Sequence, residues 1–248
     1  MKYNKYVLPF CMVAMLGMQS CGDFLDTYPT ESYGDNVVWA DQGTVDAFVV
    51  GNYGNAYDQY LGFNYWDRVF VNNMINCRSG CPGEARGLME NTFGWGLNDR
   101  FGAIRNCNLI IEKVAESEVL DDSFKKRYTA EAKMMRAMIY YDLARKGGRF
   151  MWVDRVLTES DNFEIPLTKN IEESYGYVLK DLRDAIVDLP EEAVAGRLTK
   201  NAGLAFLSEV CLTAAAYTNN ASGLHVSVGV DLYQEAVDAV DAIKGVSL

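Results

Sequence analysis

The chain has 248 residues, 49% of them hydrophobic and 23% charged, and a formal net charge of −11. That length and apolar share suffice for one substantial core, and the charged fraction is that of a globular chain, so bulk disorder is excluded. A surface this acidic repels phosphate backbones, which excludes nucleic acid as a partner.

Residues 1–20 read as a leader. Lys2 and Lys5 precede the apolar run Tyr6–Met18. A helix of that length rises about 20 Å, short of the roughly 30 Å hydrocarbon core, so the run is a secretory signal and not a span. Ser20 directly before Cys21, in Met-Gln-Ser-Cys, resembles a lipobox, in which the thiol is acylated and becomes the new N-terminus. Cys21 is the expected lipidation site. Each buried methylene contributes about 0.8 kcal/mol, so two or three acyl chains anchor the chain firmly to a membrane. Asp23 and Asp26 follow closely and resemble the surface-export signal of Bacteroidetes lipoproteins.

Residues 21–40 hold Tyr28-Pro29 and no sustained period, and read as an extended lead-in to a helical domain over 41–248. Apolar residues then recur at three and four. Val45, Phe48, Val49, Tyr53, Ala56 and Tyr60 predict a first helix over 43–60. Residues 61–97 break the pattern with six Gly, Pro82, the close pair Cys77 and Cys81, and several aromatics. This is a long irregular insertion, and such segments in compact domains are often functional. Cys77 and Cys81 could close a local disulfide outside the cytoplasm. With no second Cys or His pair, they make no zinc site.

Regularity returns over 99–116, where Phe101, Ile104, Asn108, Ile111 and Ala115 share a face. It continues over 122–146 with Phe124, Tyr128, Met135, Ile139 and Leu143, and stops at Gly147-Gly148. The stripe over 171–189 is the cleanest, with Asn170 and Glu173 as a capping pair and Pro190 past its end. Thr199 can cap a helix that turns Phe206, Val210 and Tyr217 inward. A last helix over 231–244 follows the Asp231 cap, its stripe being Tyr233, Val237, Val240 and Lys244. Cys107 and Cys211 fall within helical patterns as small buried hydrophobes. Strand is expected only in patches such as Phe150–Val156 and Leu224–Val230. The fold class is all-α, with antiparallel helical hairpins in tetratricopeptide-like packing.

Several segments, in order, resemble the N-terminal half of SusD/RagB-type lipoproteins. Cys21-Gly-Asp-Phe-Leu-Asp-Thr-Tyr-Pro29 resembles the family's start after lipidation. Trp95, Phe101, Ile104 and Asn108 resemble its Trp…Tyr-x₂-Ile-x₃-Asn helix, and Ala130–Ala137 running on to Tyr140–Leu143 resembles its central helix. Leu189-Pro190 and Gly196-Arg-Leu-Thr-Lys200 resemble its "LP…GRxTK" element. The family's aromatic-Gly-x-x-Pro turn after the central helix is here Lys146-Gly-Gly-Arg-Phe-Met-Trp152, without Pro.

The resemblance implies a surface protein that captures a glycan or an oligopeptide and passes it to a TonB-dependent β-barrel transporter. Sugars are gripped by flat aromatic faces with amide and guanidinium donors at the rim. The insertion offers those types in Tyr65, Trp66, Asn73, Arg78 and Trp95. Pinning the insertion onto the helices is the more expected role for Trp66 and, more so, for Trp95, whose family counterpart leads into a packed helix. Glu131 and Arg136 on the central helix are expected to tie neighbouring helices, an ion pair beside a cleft being the other reading, and Arg197 is expected to serve as a cap or ion-pair partner. The sequence carries no metal-ligand cluster, nucleotide fingerprint or phosphate loop, so neither metal nor cofactor is expected. His225 is the only His, with no nucleophile elbow nearby. A lipid-anchored glycosidase or peptidase, or an adaptor that binds only protein, are the competing classes.

Overall fold

The structure, a computed structural model, describes residues 35–61, 97–218 and 231–245. The chain divides into two compact units, 1–38 and 39–248. Of the first, only the short helix α1 (Asp35–Val38) is described. The second holds α2 (Gln42–Leu61), α3 (Leu97–Glu116), α4 (Asp122–Gly147), α5 (Ile171–Asp188), α6 (Lys200–Thr218) and α7 (Leu232–Asp241). The β pairing among the described residues is one isolated antiparallel bridge, Met151 to Leu167. The expected strand at Phe150–Val156 reduces to that bridge. Leu224–Val230 lies outside the described residues.

Local chemistry sets the helix ends. The Asp121 carboxylate accepts from the Ser123 and Phe124 amides at 2.9 and 3.0 Å and opens α4. Gly148, at φ 72°, closes it, a left-handed position where a side chain would be strained. Asn170 accepts from the Glu173 amide at 2.8 Å, and Glu173 reaches back to the Lys169 amide rather than to the cap itself. Asp231 caps α7 through the Tyr233 and Gln234 amides. Thr199 accepts from the Ala202 amide at 3.3 Å.

From α4 onward each helix packs on its predecessor, and the last two also reach the one before that. α4 lies against α3 and α2, α5 against α4, and α6 against α5 with an edge on α4 where Tyr141 meets Phe206. α7 lies against α6 and reaches α5 through the Arg183–Glu235 ion pair. One apolar cluster runs through all of them, from Val45 and Val49 through Ile104, Met135, Ile139, Tyr175 and Leu182 to Val210 and Ala236. Gly203 is a point of close approach of α6 to α5, since a Cβ there would lie 2.8 Å from Ile186 Cγ1. Cys107 and Cys211 are buried free thiols within the core.

The array has two distinct ends. Asp46 of α2 lies level with Arg197, and Asn52 beside Met135, so α2 runs parallel to α4. Arg100 near the start of α3 bonds Asp142 near the end of α4. Tyr217 near the end of α6 packs on Tyr175 near the start of α5, while Asn201 near its start bonds the Lys244 carbonyl. Residues 61, 97 and 218 therefore sit toward the end marked by Gly147 and Ile171. The 117–121 and 189–199 links sit at the other.

One expected stripe is placed differently. In α7 the inward residues are Leu232, Ala236 and Ala239, while Tyr233, Val237 and Val240 are about half exposed. Leu232 and two alanines face the core, and the longer stripe of Tyr233, Val237 and Val240 faces out.

Candidate functional site

The described residues hold two polar nodes, each built by an arginine driven into an apolar face. The first centres on Arg136 of α4. Its guanidinium forks onto Asp181 of α5 at 2.7 and 2.8 Å and donates to Asn108 Oδ1 of α3 at 2.6 Å. Asn108 in turn donates to the Val153 and Arg155 carbonyls, both at 3.0 Å. The Tyr140 hydroxyl accepts from the Val153 amide at 2.8 Å and donates to its carbonyl. Three helices thereby clamp the 149–156 segment. Burial works to lower the Arg136 pKa, but the Asp181 carboxylate outweighs it and holds the guanidinium firmly charged. Trp152 covers the node, its ring 5.1 Å from the Arg136 guanidinium, 4.5 Å from Tyr140 and stacked on Tyr177 at 4.6 Å and 6°.

The second node lies about a turn and a half nearer the start of α4. Arg197, in the link before α6, bonds the fully buried Glu131 of α4 at 2.6 Å and Asp46 of α2 at 2.9 Å. Arg127 shares Glu131 at 2.9 Å. The guanidinium also lies over the Tyr53 and Tyr128 rings, and Tyr53 accepts from the Leu198 amide at 3.1 Å. A further buried carboxylate, Asp142, takes Arg100 and Arg145 at 3.0 and 2.8 Å.

Glu131 and Arg136 thus do not pair with each other. Each joins different helices, Glu131 tying α4 to the Arg197 link and Arg136 tying α4 to α5 and α3. Sequence reading missed Asp181, Asp142, Arg100 and Trp152. A signal existed, because Asp181 interrupts the apolar stripe of α5 and Arg136 that of α4, and opposite charges on inward faces tend to meet. Cys21, Tyr65, Trp66, Asn73, Arg78 and Trp95 lie outside the described residues, as do Cys77, Cys81 and His225. Among the described residues no group of His, Cys, Asp or Glu is placed to hold a metal ion, and no helix is long and apolar enough to cross a membrane.

The family model described as SusD-like, starch-binding and associating with the outer membrane, matches residues 23–212. This chain belongs to the SusD-like family. A SusD-like protein of Bacteroides ovatus is 25% identical over 222 residues, covering 81% of this chain and 38% of that protein. The crystal structure of a SusD-like protein from Bacteroides fragilis superposes with a TM-score of 0.68 at 24% identity, over 87% of this chain and 40% of that one. A laminarin-binding SusD-like protein superposes with a TM-score of 0.64 at 19% identity, over 83% of this chain and 44% of that one. These two likenesses share the helical fold found here. The chain thus spans about two fifths of the length of the relatives it matches. The SusD-like family is one of glycan-binding proteins rather than enzymes, and it is associated with the outer membrane.

Proposed function

We propose that this chain is a surface-exposed lipoprotein, anchored through acylated Cys21, that captures glycan from solution and passes it to a TonB-dependent β-barrel transporter. The observation that carries the reading is the family match over 23–212, with its starch-binding and outer-membrane association. The laminarin-binding relative with the same helical fold supports a glucan as cargo. The ligand-facing groups are Tyr65, Trp66, Asn73, Arg78 and Trp95, whose rings and amides suit sugar faces and hydroxyls. The helices act as a rigid spine, with Glu131, Arg136 and Arg197 as its ties, and the cargo leaves with its bonds intact.

Native affinity electrophoresis of residues 22–248 in gels containing soluble starch or laminarin tests the binding step. Retardation in at least one gel, reduced by Trp66→Ala at unchanged melting temperature, is the expected result. Equal mobility in every gel, or release of reducing sugar, would overturn it. Mass spectrometry of the processed protein checks the anchor, the expected product beginning at a diacylated or triacylated Cys21.

A further inference from the structure

α2 is a helix whose local sequence works against it. Residues 49–55 read Val-Val-Gly-Asn-Tyr-Gly-Asn, without one strong helix former among them. Gly51 and Gly54 lie in its interior, and a Cβ at either would meet nothing within 4 Å. Gly203 of α6 is required by a close neighbour, whereas these two weaken the helix and make room for nothing.

The contacts that hold α2 in place are modest as well. Its buried apolar side chains are Val45, Val49, Tyr53 and Ala56, where α5 buries two isoleucines, two leucines, a valine and a tyrosine. Less apolar area is withdrawn from water, so docking is weaker. Asn52 stands on the same inward face, 2% exposed. Its Nδ2 reaches two sulfurs, Cys107 Sγ at 3.2 Å and Met135 Sδ at 3.9 Å, and its Oδ1 has no hydrogen-bond partner. Sulfur is a weak acceptor, and a buried amide oxygen without a donor has lost its hydration for nothing. Water satisfies both groups once the helix lifts.

Release is also easy at Arg197. The Asp46 side chain it bonds is 44% exposed, so that carboxylate passes to water at little cost. The guanidinium keeps Glu131 at 2.6 Å and is not orphaned. The opposing polar cost is the Leu198 amide, which gives up the Tyr53 hydroxyl.

We propose that α2 is a releasable strap, which unfolds from α3 and α4 as a unit while α3 to α6 stay packed. A helix of glycines, asparagines and β-branched residues persists only while docked, so undocking and melting are one cooperative step. Asn52 covers the Cys107 sulfur, and release uncovers it.

The test is hydrogen exchange of residues 22–248 at neutral pH without denaturant, read by mass spectrometry of peptides. Amides of 45–56 are expected to exchange as one block, about tenfold or more faster than those of α4 and α5. Gly51→Ala with Gly54→Ala is expected to slow that block roughly tenfold or more, since alanine favours the helix and its methyl enters open space. Alkylation of Cys107 in urea below the global transition is expected to slow with it. Three outcomes would overturn the proposal: protection of 45–56 equal to that of α4 and α5, block exchange unchanged in the double variant, or Cys107 alkylation indifferent to the two alanines.

Discussion

Arg136 shows what one buried charge does here. Its partner Asp181 is almost fully inaccessible, so removing the guanidinium leaves a carboxylate with no counter-charge in a low-dielectric site. Arg136→Met is expected to destabilise the fold by about 3–5 kcal/mol in urea unfolding. Arg136→Met combined with Asp181→Leu is expected to be less damaging than Arg136→Met alone, because the orphaned charge has gone; a more damaging double variant would show that the pair is not the governing interaction. The two buried thiols make a second case. Burial pushes Cys107 and Cys211 up to about 12 from an ordinary 9.0. Both should resist a thiol reagent at pH 8 in the native state and react once urea unfolds the chain. Because their folded pKa is raised, the stability they contribute is full below about pH 9 and declines as pH rises toward 12. Sequence showed that these residues sit on inward faces. It could not show that Arg136 meets Asp181, since periodicity fixes which way a residue points and leaves open which distant residue it faces.

At the level of elements, α2 to α6 are legible because each carries an apolar stripe, and α4, α5 and α6 also carry a recognisable cap or stop. Asn170, Asp231 and Gly148 do at the helix ends what their side chains or lack of one allow. The 149–170 connection was less legible. It is held by Asn108 of α3, by Arg136 and Tyr140 of α4 and by Tyr177 of α5 against Trp152, and nothing local announces that. In α7 the periodicity over 231–244 marks the wrong inner face and runs past the helix end at Asp241, since a stripe of Tyr and Val outweighs one Leu and two Ala on a hydrophobic scale. Close helix contact selects for small side chains, and Gly203 shows how tightly. Gly203→Ala places a methyl carbon 2.8 Å from Ile186 and 3.2 Å from Leu189, so α6 must move off α5. A loss of about 1–3 kcal/mol is expected from this overpacking, with Gly203→Leu worse, measured by thermal or urea unfolding. Unchanged stability in Gly203→Ala would mean that the two helices slide apart freely. The proposed ligand groups Tyr65, Trp66, Asn73, Arg78 and Trp95 lie outside the described residues.

The whole molecule is acidic, and acid is the condition under which it should fail. Asp121 is held below its ordinary pKa of 3.8 by the Phe124 amide and Ser123, and Asp41 by the Thr44 amide and hydroxyl. Asp161 is lowered by Arg155 and Thr158. Burial works to raise Asp184, but Lys133 and Lys180 outweigh it. In each the folded state binds fewer protons than the unfolded one near pH 3–4, so stability is present above about pH 4 and is lost as pH falls through the lower folded values. Melting followed by circular dichroism should show a plateau from pH 6 down to about pH 4 and a decline below it, reduced in part by added salt. A melting temperature that rises on acidification would mean that repulsion within the net charge of −11 dominates instead.

The two ends of the array carry unequal burdens. The Arg197 node stitches α2, α4 and the link before α6 into one knot, so a change of link length there strains several helices at once. Residues 61, 97 and 218 all lie toward the other end, away from that knot. Insertions after 61 or 218 leave that knot untouched and are expected to shift the melting temperature less than insertions of equal length in the 189–199 link.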